Sequence, residues 1–235
     1  MTLVLALEGT DGLLLAADSR GTIGDPRGLT AIADDHQKLF KLSRHCGVVL
    51  AGAAELSSTF IDELVRVLES ESLEHADAIM NRGRDLIRER YGDWFSRVAP
   101  ERRADIVFIL AGLQPFGDNE LRPRIHLLAS GLDFAPQLCR TGRMMAGVPQ
   151  YATYLVHRLY DRNMRIDDLK RLAAYLIAET ATQDPKVGGP IKMAQITISD
   201  GYADIPDREV AKIVGANERL NRQLRKVFYT GQSTA

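Results

Sequence analysis

The chain opens Met1-Thr2, and removal of Met1 would leave one residue carrying both a hydroxyl nucleophile and a free α-amine. An α-amine has a pKa of about 7.7 to 8.0, so near neutral pH it can take the proton of that hydroxyl, directly or through water. Many chains begin Met-Thr, so Thr2 gains meaning only from what the fold brings beside it. Other chemistries leave no comparable trace. Gly142 to Gly147 has the outer spacing of a phosphate-binding loop, but Val148 stands where its lysine belongs. No Gly-x-Ser-x-Gly turn is present. His36, His45, His75, His126 and His157 show no paired ligand spacing, and Cys46 and Cys139 form no Cys-x-x-Cys pair. No metal and no cofactor are expected.

The elements that must position Thr2 follow from periodicity. Leu3 to Leu7 and Leu13 to Ala17 are short apolar runs around Glu8 to Gly12, a hairpin buried on both faces with Asp11-Gly12 as its turn. A polar loop with Gly24, Pro26 and Gly28 leads to a second hairpin, Lys38 to Leu42 and Val48 to Ala51, so four strands are expected first. Two helices follow, one with Phe60, Leu64, Val67 and Leu68 after a Ser57-Ser58 cap, the next with Ile79, Leu86, Ile87, Trp94 and Phe95. Strands return at Ile106 to Leu110, Ile125 to Ala129 and a ragged stretch from Gln137 to Met145, with Pro115, Gly117, Pro123, Gly131 and Pro136 as punctuation. Helices are predicted over Tyr151 to Tyr160 and Ile166 to Thr182, then a hairpin of Lys192 to Ser199 and Tyr202 to Ile205. A charged helix over Asp207 to Phe228 and a polar tail from Thr230 to Ala235 end the chain.

Strands linked by hairpins and helices arriving in blocks predict an α+β chain with largely antiparallel sheets. Strands apolar on both faces need cover on both sides, which two stacked sheets with helices outside would provide. With no linker or repeat, residues 1–235 read as one domain. The 235 residues are 45% hydrophobic and 26% charged, with Lys+Arg 30 against Asp+Glu 31, which argues against disorder and against a basic nucleic-acid surface. No Lys or Arg precedes Arg20, and Glu8, Thr10 and Asp11 break the apolar run, so the N-terminus does not read as a signal peptide. No window approaches a membrane span. A cytoplasmic protein is expected.

Thr2, the run Leu13 to Arg20 ending Ala-Ala-Asp-Ser-Arg, Thr22, the Lys38-Leu39-Phe40 strand, the Leu50-Ala51-Gly52-Ala53-Ala54 strand end, Asp184-Pro-Lys-Val-Gly188-Gly189 and the Asp200-Gly201 hairpin together resemble the proteasome β-type subunits. These are N-terminal-nucleophile hydrolases, and the resemblance, which runs along essentially the whole chain, is strongest to the bacterial proteasome-like proteases. It implies a four-layer α-β-β-α sandwich (the Ntn-hydrolase fold) and a threonine endopeptidase working through an acyl-enzyme within a self-compartmentalising assembly. Residue by residue, it implies Thr2 as nucleophile with its own amine as proton acceptor, and Lys38 as the positive charge beside the Thr2 hydroxyl. Asp18 would hold Lys38 charged and oriented, the Gly52 amide would bind the oxyanion, and Asp184 would orient the amine. Thr22 would pair with an extended substrate through its backbone, and His36, Phe40 and Leu50 would line an apolar specificity pocket with one titratable group. The implied partners are a peptide or unfolded protein as substrate and further copies of the chain in a homo-oligomeric ring or stack. A docking surface for a regulator on the last helix is left open, and neither nucleic acid nor membrane is expected.

The sequence departs from that pattern twice. Gly147-Val148-Pro149 carries Val148 where active family members usually have a serine, and Val187 stands where a second serine usually follows the residue matching Asp184. Those hydroxyls normally hydrogen-bond the N-terminal amine. Two alternatives therefore stay open: a catalytically silent proteasome-like scaffold subunit, and an Ntn amidase or peptide ligase that passes the acyl group to an amine.

Overall fold

The structure, a computed structural model, describes residues 2–24, 30–117 and 120–229. Met1, Pro26, Gly28 and the polar tail from Thr230 to Ala235 lie outside them. Two five-stranded sheets stack face to face. The first has the order β10-β1-β2-β11-β12, built from Arg143–Gly147, Leu3–Gly9, Gly12–Ala17, Lys192–Thr197 and Gly201–Asp204. The second has the order β5-β6-β7-β8-β9, built from Leu39–Lys41, Cys46–Gly52, Ile106–Phe116, Glu120–Ala129 and Gln137–Leu138. Every strand pairing among the described residues is antiparallel. Helices α1 (Ala54–Glu71) and α2 (Ala76–Trp94) cover the second sheet. On the outer face of the first sheet lie α3 (Gln150–Leu159), α4 (Ile166–Gln183) and the start of α5 (Asp207–Phe228). This is the expected four-layer sandwich.

Strand alternation explains why both faces of the early strands are apolar. Successive side chains point to opposite faces. Leu3, Leu5, Leu7, Leu14 and Ala16 therefore pack under α3 and α4, while Val4, Ala6, Leu13, Leu15 and Ala17 meet Leu39, Val49, Ala51, Ile109 and Ala111 of the other sheet. Phe60, Ile61, Leu64, Ile79 and Ile87 of α1 and α2 close over Val48, Leu50, Phe108 and Leu110. Each leucine buried this completely contributes about 1.5 to 3 kcal/mol, so the strands next to Thr2 are among the most firmly held parts of the molecule.

The structure corrects the reading in several places. β1 and β2 run up to a turn at Thr10 and Asp11, and the Asp11 carboxylate accepts a hydrogen bond from the Ile166 amide (2.8 Å), holding the start of α4. Six strands, not four, precede the helices, because Gly21–Gly24 (β3) and Thr30–Ala33 (β4) pair as a separate ribbon where a loop is predicted. A ribbon outside both sheets has no core-facing alternation to reveal it. α1 starts at Ala54: the Ser57 and Ser58 hydroxyls bond back to the carbonyls of Ala53 and Ala54 inside the helix instead of capping it. Pro115 and Pro123 lie within strands, since β7 and β8 extend as a two-stranded ribbon beyond Gly112, where pairing with β6 stops and prolines are tolerated. The ragged stretch is two strands in different sheets, β9 and β10, because the chain crosses between layers there.

One close approach fixes Thr2 within this frame. β10 pairs with β1 in the register Leu3 to Gly147, and the Val148 amide donates to the Thr2 carbonyl at 2.8 Å. Gly147 has φ 95°, and a Cβ there would stand 1.8 Å from the Thr2 oxygen. Gly147→Ala should thus destabilise the fold by about 1 to 3 kcal/mol through backbone strain alone, read as a lower denaturation midpoint at unchanged slope. A parent-like midpoint would contradict the close approach.

Candidate active site

Thr2 enters β1, Asp18 and Ser19 follow the last residue of the neighbouring β2, and Lys38 stands just before β5 of the facing sheet. All four are buried, with 3%, 1%, 3% and 4% of their surface exposed, which for an unpaired lysine or aspartate would be prohibitive. They are not unpaired. Lys38 Nζ donates to Thr2 Oγ1, to Asp18 Oδ1 at 2.8 Å and to the Arg20 carbonyl at 2.7 Å, so each ammonium hydrogen has an acceptor. Asp18 Oδ1 also accepts from Thr2 Oγ1 and from the Leu3 amide at 3.0 Å. Its Oδ2 accepts from the amides of Arg20 (3.2 Å) and Gly188 (3.0 Å). The Thr2 hydroxyl thus sits between a carboxylate and an ammonium.

Burial pushes the Lys38 amine below the ordinary lysine range, opposed in part by the attraction of Asp18. The attraction of Asp18 thus offsets part of the desolvation penalty on the charged form of Lys38.

A cleft of about 380 Å³ opens beside Thr2, with Thr22, His36, Leu50, Gly52 and Glu55 among its walls. Gly52 ends β6 at φ 103°, and a Cβ there would come within 2.0 Å of the Asp105 carbonyl, so a side chain is excluded from this wall. The His36 ring lies against Gly21. The structure thus brings Thr2, Thr22, His36, Lys38, Leu50 and Gly52 to one cavity, with Asp18 directly behind it. Phe40, on β5, pairs with Val48 and packs against the cluster under α1 and α2 that also holds Leu50, and it is not among the residues lining this cleft. Asp184 is not in the cluster either. It ends α4, where its carboxylate accepts from the Lys186 amide at 2.8 Å and shapes the following turn.

Val148 and Val187 are buried in the same apolar cluster as Leu3, so the two positions usually occupied by serines are hydrocarbon. Sequence reasoning gave no individual role to Ser19, whose hydroxyl donates to the Pro190 carbonyl at 2.7 Å, nor to the Gly188 amide or the Arg20 carbonyl. Main-chain partners leave little trace in residue type. Among the described residues, no group of three or more His, Cys, Asp or Glu is placed to hold a metal ion, and no helix is long and apolar enough to cross a membrane.

The Lys38 ammonium should lose its proton below the 10.5 of an ordinary lysine. Asp18→Asn should move that titration lower still, because the carboxylate is what raises it. Following the side-chain resonance of Lys38 by NMR against pH measures both, and a titration at or above the ordinary value in the parent would contradict the burial argument.

Comparison with known proteins shows the same fold and sequence similarity at the N-terminal end. The family model described as "Proteasome subunit" matches residues 2–82, the segment holding Thr2, Asp18, Lys38 and Gly52. A proteasome subunit beta of Methanopyrus kandleri is 22% identical over 91% of this chain and 95% of its own length. Proteasome subunit beta 2 of Thermomonospora curvata is 22% identical over 94% of this chain and 78% of its own. Among solved structures, a mutant of Anbu from Hyphomicrobium sp. strain MC1 superposes with a TM-score of 0.71 at 19% identity, each chain covered in full, a likeness of fold. The matched segment, the similarity along nearly the whole chain and the common sandwich together support one conclusion: the chain is similar to the proteasome β-type subunits and shares their fold.

Proposed function

We propose that the chain is a threonine-type peptidase whose nucleophile is Thr2 with a free α-amine. The observation that carries this reading is the buried contact of the Thr2 hydroxyl with both Lys38 and Asp18 at the edge of an open cleft. An extended peptide would lie along Thr22 and Gly52, with one side chain in the pocket bordered by Leu50 and His36. The Thr2 oxygen attacks the peptide carbonyl, its proton passes to the Thr2 amine, and Lys38 stabilises negative charge on the attacking oxygen. The Gly52 amide binds the oxyanion. The amine then gives the proton to the leaving nitrogen, and water cleaves the Thr2 ester to return the hydroxyl. Asp18 holds Lys38 in place throughout, and Asp184 acts through the loop it shapes. Isolation of this site inside a homo-oligomer, in the cytoplasm, completes the proposal.

A second reading, a silent scaffold subunit, is favoured by one observation: Val148 and Val187 offer hydrocarbon in place of hydroxyl partners for the amine. Single-turnover acylation by a peptide ester, followed by intact mass, separates the two. The acylated species should require loss of Met1, and both Thr2→Ala and a non-removable N-terminal extension should abolish it. Lys38→Ala should slow it about 10²- to 10³-fold, the usual worth of a preorganised charge. No acylation of a parent chain shown to lack Met1 would favour the scaffold.

Sedimentation should show a closed assembly well above the 26.0 kDa of one chain. A monomer at micromolar concentration would count against self-compartmentalisation.

A further inference from the structure

Besides Lys38, Asp18 takes hydrogen bonds from three stretches of chain, and one of them is remote. Its donors on β1 and in its own turn are local to the first hairpin, whereas the Gly188 amide comes from the loop between α4 and β11, 170 residues along the chain. Something must hold that loop at hydrogen-bond distance. The Ser19 amide donates to the Gly188 carbonyl at 3.1 Å, and the Ser19 hydroxyl to Pro190, but both come from the strand end being positioned.

Val187 anchors the loop in the apolar cluster on one side of Gly188, and the Arg20 side chain ties it by hydrogen bonds. Its Nε and Nη2 donate to the two carboxylate oxygens of Asp34 at 2.8 and 3.0 Å, and its Nη1 donates to the Pro185 carbonyl at 3.0 Å. The guanidinium lies flat against Gly188, where a Cβ would come 2.5 Å from Arg20 Cζ. Asp34 precedes the segment that delivers His36 and Lys38. A single planar group therefore joins the β4–β5 loop carrying Lys38 to the α4–β11 loop carrying the Gly188 amide. The main chain of the same residue meets the cluster from the other side, its amide on Asp18 and its carbonyl on Lys38.

We propose that Arg20 is a positioning residue that clamps these two loops, so that Asp18 is held from both sides and in turn fixes Lys38 against the Thr2 hydroxyl. The fork geometry matters: five N–H donors in one plane can satisfy a carboxylate and a carbonyl together, which a lysine ammonium at the same place cannot do. The Arg20–Asp34 pair is partly exposed to solvent, 23% and 41% by side chain, so its worth lies in geometry more than in stability.

Only the kinetic arm of the test rests on Thr2 as nucleophile. The parent is compared with Arg20→Ala, Arg20→Lys, Asp18→Asn and the Arg20→Ala/Asp18→Asn double variant by single-turnover acylation with a peptide ester, and by hydrogen exchange at the Gly188 amide. Loss of the clamp should slow acylation about 10- to 100-fold, the usual effect of misplacing a reacting group, with half-saturating ester concentration unchanged. Arg20→Lys should recover little of this. Because Arg20 acts through Asp18, the double variant should be no slower than Asp18→Asn alone, whereas a residue that merely supports the fold would multiply the two losses. Gly188 exchange should quicken by about tenfold or more as the loop opens locally, while the melting temperature stays close to the parent's. Should Arg20→Ala not fold, Asp34→Asn removes the anchor with the guanidinium in place and is read the same way. If the parent itself is not acylated, the nucleophile reading falls and Gly188 exchange alone decides. Parent-like exchange at Gly188 in the clamp variants, or multiplicative losses in the double variant, would overturn the proposal.

Discussion

The Asp18 carboxylate is the charge on which the active end of the molecule depends. It is almost wholly buried, and moving an ion of this size out of water costs several kcal/mol even after the protein relaxes. The cost is met by the Lys38 ammonium and by donors from Thr2, Leu3, Arg20 and Gly188. Those donors come from four separate stretches of chain, so the carboxylate can be satisfied only when both sheets, the strand ends and the α4–β11 loop are assembled together. Removing one donor would leave a buried charge short of a partner, the costly half of any buried ion pair.

The four-layer sandwich makes that convergence possible. Thr2 and Asp18 are carried by adjacent antiparallel strands of one sheet, and Lys38 comes from the sheet stacked on it. Neither sheet can move relative to the other without disturbing the apolar layer of Val4, Leu15, Val49 and Ile109 between them. Close packing of that layer makes the distance between the two charges a property of the core, not of flexible side chains. Lys38 adds a constraint of its own: with three acceptors for three hydrogens, its ammonium has one orientation, and the Thr2 hydroxyl is one of its targets.

The same rigidity sharpens the question of the proton. Val148 and Val187 belong to the apolar cluster under α3 and α4, together with Leu3. A free Thr2 amine would meet fewer hydroxyl partners than the family pattern provides, so its basicity and aim would depend more on its own strand geometry, fixed by the Gly147 approach. In the proposed reading, Lys38 is then the positive charge that contacts the Thr2 hydroxyl directly.

The sequence alone determined the layer plan. Apolar runs that are buried on both faces, hairpin spacing and helices in blocks imply stacked sheets with outer helices, because periodicity is local and burial imposes it residue by residue. Thr2, Asp18, Lys38 and Gly52 were singled out by the resemblance and not by periodicity, which assigns no role to a polar residue at a strand end. The tertiary structure alone decided what depends on register and on main-chain donors. It packed Phe40 and Leu50 against the same helix-side core with Leu50 also lining the cleft, divided Gln137 to Gly147 between two sheets, and paired Gly21–Gly24 with Thr30–Ala33 where no alternation marks a strand. It also brought the Gly188 amide to Asp18 and folded the Arg20 guanidinium over Gly188. Almost any residue type can offer a backbone N–H, so a contact made through one across 170 positions leaves no mark in the sequence and exists only once the chain has closed.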